Sequence, residues 1–138
     1  MPITASRIEA VRLVCFAVLA VTFLGTGLWV LATWTVPPVP APVYGIVGLA
    51  VAAVLFAVNV AATRAASEAA NDEGTSAVWL RAQAFGYWAG VVCLAVMGNL
   101  IGPLDLPPGA ALFAGGMLGA SAPFLYFIVA EACRGRAA

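Results

Sequence analysis

The sequence predicts an all-α integral membrane protein: one domain over residues 1–138, four transmembrane helices, and both termini in the cytoplasm. Three observations carry that prediction. The chain is 64% hydrophobic and 9% charged, against roughly 45–50% and about 25% for a soluble domain, so it cannot cover itself with polar surface in water. Four apolar stretches, at about 13–36, 43–63, 79–101 and 110–130, each approach or exceed the roughly 20 residues that cross a hydrocarbon core. Charge supplies the orientation. Arg7 and Arg12 precede the first stretch, Arg64 and Arg81 flank the link from second to third, and Arg134 and Arg136 follow the fourth. The links around Pro37 to Pro42 and Pro103 to Pro108 hold no Lys or Arg, which is the positive-inside pattern.

The first span, Leu13 to Val36, is longer than the roughly 7–15 apolar residues of a signal peptide and is expected to be retained. It ends near Trp34, and the proline-rich link that follows lacks the donors a helix needs. The second span, Val43 to Thr63, is expected to continue as helix through Arg64 and the alanines to Ala70. Asn71 to Thr75 should then break it, with Gly74 in the turn and Thr75 or Ser76 as the next N-cap. The third span runs from Trp79 to Ile101, with Arg81 able to snorkel toward the headgroups. Gly102-Pro103 ends it. The fourth span, Ala110 to Ala130, contains Pro123, whose ring displaces the helix bond to Gly119. Both proline-rich links are short, so the first and second spans should be neighbours, as should the third and fourth.

Helices associate in lipid where small residues let backbones approach, because burying Leu against Leu gains little over leaving it against an acyl chain. Ala82, Gly86 and Gly90 on the third span and Ala111, Gly115 and Gly119 on the fourth are therefore the candidate helix-packing residues. Gly90 and Gly115 are both expected to resist a branched side chain. Gly45, Gly48, Ala52, Phe56, Asn59 and Thr63 mark a face of the second span, and Thr22, Gly25, Thr26, Trp29 and Thr33 a face of the first. Both faces are expected to turn inward.

Chemistry-bearing groups are few. There is no histidine, which removes the commonest metal ligand and general base. Cys15, Cys93 and Cys133 are widely separated and form no CxxC pair. Glu68, Asp72 and Glu73 read as a solvated helix end rather than a cation site, and Glu131 as an ion-pair partner for Arg134. No catalytic residue, metal site or cofactor is expected. Thr22, Asn59, Asn99 and Tyr126 are the candidate intramembrane polar contacts, read as interhelical hydrogen bonds. The sharper alternative is a polar path linking Asn59, Thr22 and Tyr126.

In size and helix count the chain resembles the small multidrug transporters, but those carry a membrane-embedded glutamate in the first helix, and no acidic residue follows Glu9 in the first span here. The complete charge bias also argues against the antiparallel pairing of such transporters and of small fluoride channels. Zero net charge offers no basic stripe for nucleic acid. The expected partners are membrane lipids and other integral membrane subunits, or copies of the chain in parallel orientation. The expected role is a non-enzymatic structural or accessory subunit of a larger membrane complex, such as a bioenergetic one, in a bacterial cytoplasmic membrane. The alternative is a parallel-oligomer channel or carrier for a small neutral or lipophilic solute.

Overall fold

A computed structural model describes residues 3–39 and 41–134; Arg136 and Pro40 lie outside them. The described chain is all-helical: α1 (Ala5–Thr33), α2 (Ala41–Ala61), α3 (Arg64–Ala70), α4 (Glu73–Ile101) and α5 (Pro108–Arg134). Four of these, all but α3, are long and apolar enough to cross a membrane. The second span does not run on through Arg64 as expected. It stops at Ala61, and Thr63 adopts an extended backbone and starts α3 with its hydroxyl accepting from the Ala66 N–H. A polar residue that can cap a new helix offers the backbone an alternative to continuing the old one.

The start of the third span is also earlier than expected. Asp72 caps α4 by accepting the Thr75 N–H at 2.7 Å, and Gly74 lies inside the helix. Aspartate is favoured there because it satisfies an orphan donor and complements the positive end of the helix. α1 closes on Trp34, whose φ of 52° is left-handed and whose N–H bonds the Val30 carbonyl. Asp105 takes a similar φ of 50° in the link from α4 to α5, where a short polar side chain tolerates that region better than most.

α5 is the central helix, packed on α4 along one side and on α1 along another, while α2 and α3 touch α1 much more lightly. Residues at intervals of four divide its surface. Ala110 and Ala114 pack around Val30 of α1, and a Cβ at Gly27 of α1 would lie 2.9 Å from the Leu118 side chain. The next stripe, Gly115, Gly119, Pro123 and Phe127, faces α4. A Cβ at Gly115 would meet Met97 Cγ at 3.1 Å and the Cys93 carbonyl oxygen at 3.2 Å. One at Gly119 would lie 2.6 Å from the Gly90 Cα, and one at Gly86 would lie 2.7 Å from the Pro123 ring. Ala82, fully buried, shares a cluster with Phe127. The pairings Gly115 with Cys93, Gly119 with Gly90, Pro123 with Gly86 and Phe127 with Ala82 therefore follow a single antiparallel register. Ala111 is also fully buried.

Gly90 corrects one expectation. Its own Cβ direction is open, with nothing within 4 Å, although its backbone is what Gly119 touches. Gly90 thus has room for a side chain and Gly119 has none. The expected inner faces of α1 and α2 are corrected too. Gly25 and Thr33 are exposed, as are Gly45, Ala52 and Phe56, whereas α1 buries Ile8, Cys15, Phe16, Leu19, Ala20, Gly27 and Val30. α2 meets α1 through Val47, Val51 and Leu55 against Cys15 and Leu19. That face lies one residue, about 100° of helix rotation, from the glycine-bearing one.

Two substitutions test the register. Alanine favours a helix interior over glycine by about 1 kcal/mol, so Gly90→Ala should hold or raise the thermal midpoint in detergent. Gly119→Ala should lower it by several degrees, because the new methyl falls on backbone rather than on a side chain that can move. Equal behaviour of the two variants would contradict the crossing.

Candidate functional site

Polar side chains converge at one end of the bundle, where α1 begins, α2 ends, α3 lies, α4 begins and α5 ends. Ile8, Arg12 and Phe16 follow one another at intervals of four on α1, so one helical face delivers a cation between two apolar groups. The Arg12 guanidinium lies 5.4 Å from the centre of the Phe127 ring, within cation–π range. Its Nη1 donates to the Ala70 carbonyl at 3.1 Å and to Asn71 Oδ1 at 3.2 Å. Its Nε is buried and has no hydrogen-bond partner among the described residues.

Asn71 extends the network. It closes α3, and its Nδ2 donates to Asn59 Oδ1 at 3.1 Å and to the Ser67 carbonyl at 2.9 Å. The Ser67 hydroxyl lies 3.2 Å from the same Asn59 oxygen, and Asn59 Nδ2 donates to the Leu55 carbonyl of its own helix. Arg12, Asn71 and Asn59 thereby connect α1, α3 and α2. Across the same end, Arg134 pairs with Glu131 at 3.1 Å, and its guanidinium occupies the space into which a Cβ at Gly74 would project.

A cavity of about 230 Å³ opens beside this network. Arg12, Asn59, Asn71, Thr75 and Ser76 supply its polar wall, and Phe16, Trp79 and Phe127 its aromatic one. The aromatics are fixed by each other: Phe16 stacks on Trp79 with centroids 5.0 Å apart and meets Phe127 edge-on at 5.0 Å. Phe16, Trp79 and Phe127 come from α1, α4 and α5, so this contact also locks three helices at one level.

Only Asn59 among the sequence-predicted polar residues reaches this site. Tyr126 meets Phe85 in a tilted ring contact with centroids 5.3 Å apart and lines a separate groove between α4 and α5 with Cys93 and Ser121. Asn99 is exposed near the far end of α4 and donates to the Ala95 carbonyl one turn back. Thr22 is half-buried on α1. The polar path from Asn59 through Thr22 to Tyr126 is not assembled. Arg12, which the sequence reading used only for orientation, is the centre of the site instead; its spacing of four from Phe16 was the available signal. Glu68 is engaged by Arg64 at 2.7 Å and Asp72 by the α4 cap, and among the described residues no cluster of His, Cys, Asp or Glu could hold a metal ion.

The network makes two predictions. In a double-mutant cycle, Arg12→Met and Asn71→Ala should each lower unfolding stability in mixed micelles, with a coupling of about 1 kcal/mol; additive effects would place the two groups out of contact. The second concerns acid. The Thr75 N–H and hydroxyl hold the Asp72 carboxyl below the ordinary carboxylate range. Its cap therefore contributes fully above the ordinary value and is lost as pH falls through the lowered one. Acidification through that window should destabilise the wild type more than Asp72→Asn, measured by helicity against temperature.

Comparison with protein-family models, curated proteins and solved structures returned no match for this chain, so the functional reading rests on the geometry above.

Proposed function

We propose that the chain is an accessory subunit of a larger membrane assembly, with both termini cytoplasmic, and that α2 is the helix it presents to its partner. The observation that carries this reading is the mismatch between the length of α2 and its attachment. α2 is a full membrane span, yet Val51 is its one buried residue among those described. Beyond their chain neighbours and their own helix's backbone, Gly45 and Gly48 have no described atom within 4 Å of their Cβ positions. In lipid a glycine face contributes nothing toward acyl chains but lets a second helix come close. The adjoining surface carries Ala52 and exposed Phe56, small beside large, which suits a helix seated in a groove.

The positive-inside distribution supports the orientation, with Asp105 in an external link and Asp72 in the cytoplasmic one. A bacterial cytoplasmic membrane is the compartment this reading implies. A channel or carrier would need polar groups through the membrane's mid-depth to replace lost hydration. The hydrogen-bond network that joins different helices instead lies at one end, around Arg12, and Thr22, Asn99 and Tyr126 do not extend it, which favours the subunit reading.

Two experiments test the proposal. A cysteine at Asp105 in a cysteine-free chain should react with an impermeant thiol reagent in intact cells, and one at Asp72 should not; the reverse would overturn the orientation. The native protein extracted in mild detergent should migrate within a larger complex. Gly48→Leu should release it as a smaller species without changing its own thermal midpoint. Persistence of the complex in Gly48→Leu would remove α2 as the docking helix, and solute flux from the isolated protein in liposomes would favour a carrier.

A further inference from the structure

The cavity at the charged end has a composition that structural pinning alone does not require. Both Asn71 amide hydrogens are committed, to Asn59 Oδ1 and the Ser67 carbonyl, whereas Asn59 Nδ2 donates once, to the Leu55 carbonyl, and keeps a second hydrogen. Arg12, which lines the cavity, commits Nη1 to Ala70 and Asn71, and its buried Nε–H has no partner among the described residues. A buried donor without a partner is unfavourable, so a shift of the Arg12 side chain that turns this N–H toward an acceptor in the cavity gains more than the same contact at an exposed arginine. The opposite wall is aromatic, and the space of about 230 Å³ exceeds the roughly 150 Å³ that accommodates benzene in an engineered cavity. One substituted six-membered ring fits.

Charge selects between kinds of head group. The carboxylates of Glu131, Glu9 and Asp72 all act on the Arg12 charge, and Arg134 is paired with Glu131. The neighbourhood offers a strong donor without net positive charge, which disfavours a phosphate and suits a neutral acceptor. The surroundings select the rest of the molecule. α2 and α4 make hardly any contact with each other, and the α2 side of the cavity is walled by Leu55 and Val58, so an apolar tail can pass between these helices into lipid.

We propose that this cavity binds a neutral, lipid-soluble amphiphile whose planar ring carries carbonyl-type acceptor oxygens, with the ring against Phe16 and Trp79, an oxygen on the Arg12 guanidinium and the tail between α2 and α4. The site goes beyond the subunit reading and does not depend on it.

The test uses Trp79 as its own reporter. In the full chain, Trp29, Trp34 and Trp88 are replaced by phenylalanine, and a short-chain alkyl benzoquinone is titrated in detergent while Trp79 fluorescence is followed. Saturable quenching is expected, and it should weaken about tenfold or more in Arg12→Lys. Val58→Phe, which fills the cavity from α2 without touching the hydrogen-bond network, should abolish saturation while the thermal midpoint is kept. A chain retaining only Trp88, which is exposed on α4, should show linear quenching alone, the signature of probe dissolved in the micelle. Linear quenching at both tryptophans would overturn the proposal, as would saturation that survives Val58→Phe. Saturable changes with phosphatidylglycerol vesicles or inorganic phosphate but not with the quinone would assign the cavity to an anionic head group and overturn the neutral one.

Discussion

For helices long and apolar enough to cross a membrane, exchanging lipid for side chain gains little, so the contact between α4 and α5 depends on how closely their backbones can approach. Gly119 sets that distance. The position its Cβ would take is 2.6 Å from the Gly90 Cα, closer than any residue but glycine permits. Once those backbones meet, the rest of the interface follows at intervals of one turn. Gly86 makes room for the Pro123 ring, Gly115 lies against the Cys93 carbonyl, and Ala82 allows Phe127 to turn toward Phe16. The proline is accommodated because the opposing helix has no side chain at that level.

The second constraint is polar and acts where the first has run out. α2 buries little against α1, so apolar packing alone fixes its position weakly. Asn59 and Asn71 join its end to Arg12 through hydrogen bonds of 3.1–3.2 Å. The short helix α3 is part of that device: it returns the chain so that Ala70 and Asn71 both reach the Arg12 Nη1. The next residue, Asp72, caps α4. A run of a few polar residues thus closes one helix, ties two others together and starts a fourth.

The spans were legible in the sequence because hydrophobic length is a direct consequence of bilayer thickness. The ends near Thr33, Ala61 and Ile101 agree with the expected spans to within about three residues, the disagreement usual for helix boundaries. The starts of α1 and α4 lie earlier than expected, because α1 continues back through Arg12, the expected boundary, and Asp72 rather than Thr75 or Ser76 caps α4. Helix faces were less legible. On α4 and α5 the small-residue pattern coincides with close packing at Gly86, Gly115 and Gly119. On α1 and α2 an equally regular pattern marks outward faces, since in lipid both the inner and the outer surface of a helix are apolar and the pattern carries no direction. The cavity was illegible for a different reason: it draws on residues as far apart as Ile8 and Phe127, and only the central position of α5 brings them together.

That central position is the claim from which both the site and the exposed α2 follow. Disulfide formation in native membranes tests it most directly, in a chain whose Cys15, Cys93 and Cys133 are replaced by alanine. The pair Val30→Cys with Ala114→Cys, drawn from one buried cluster of α1 and α5, should crosslink rapidly under mild oxidation. The pair Val51→Cys with Gly90→Cys, on α2 and α4, should not. Efficient crosslinking of α2 to α4 with none between α1 and α5 would contradict the arrangement.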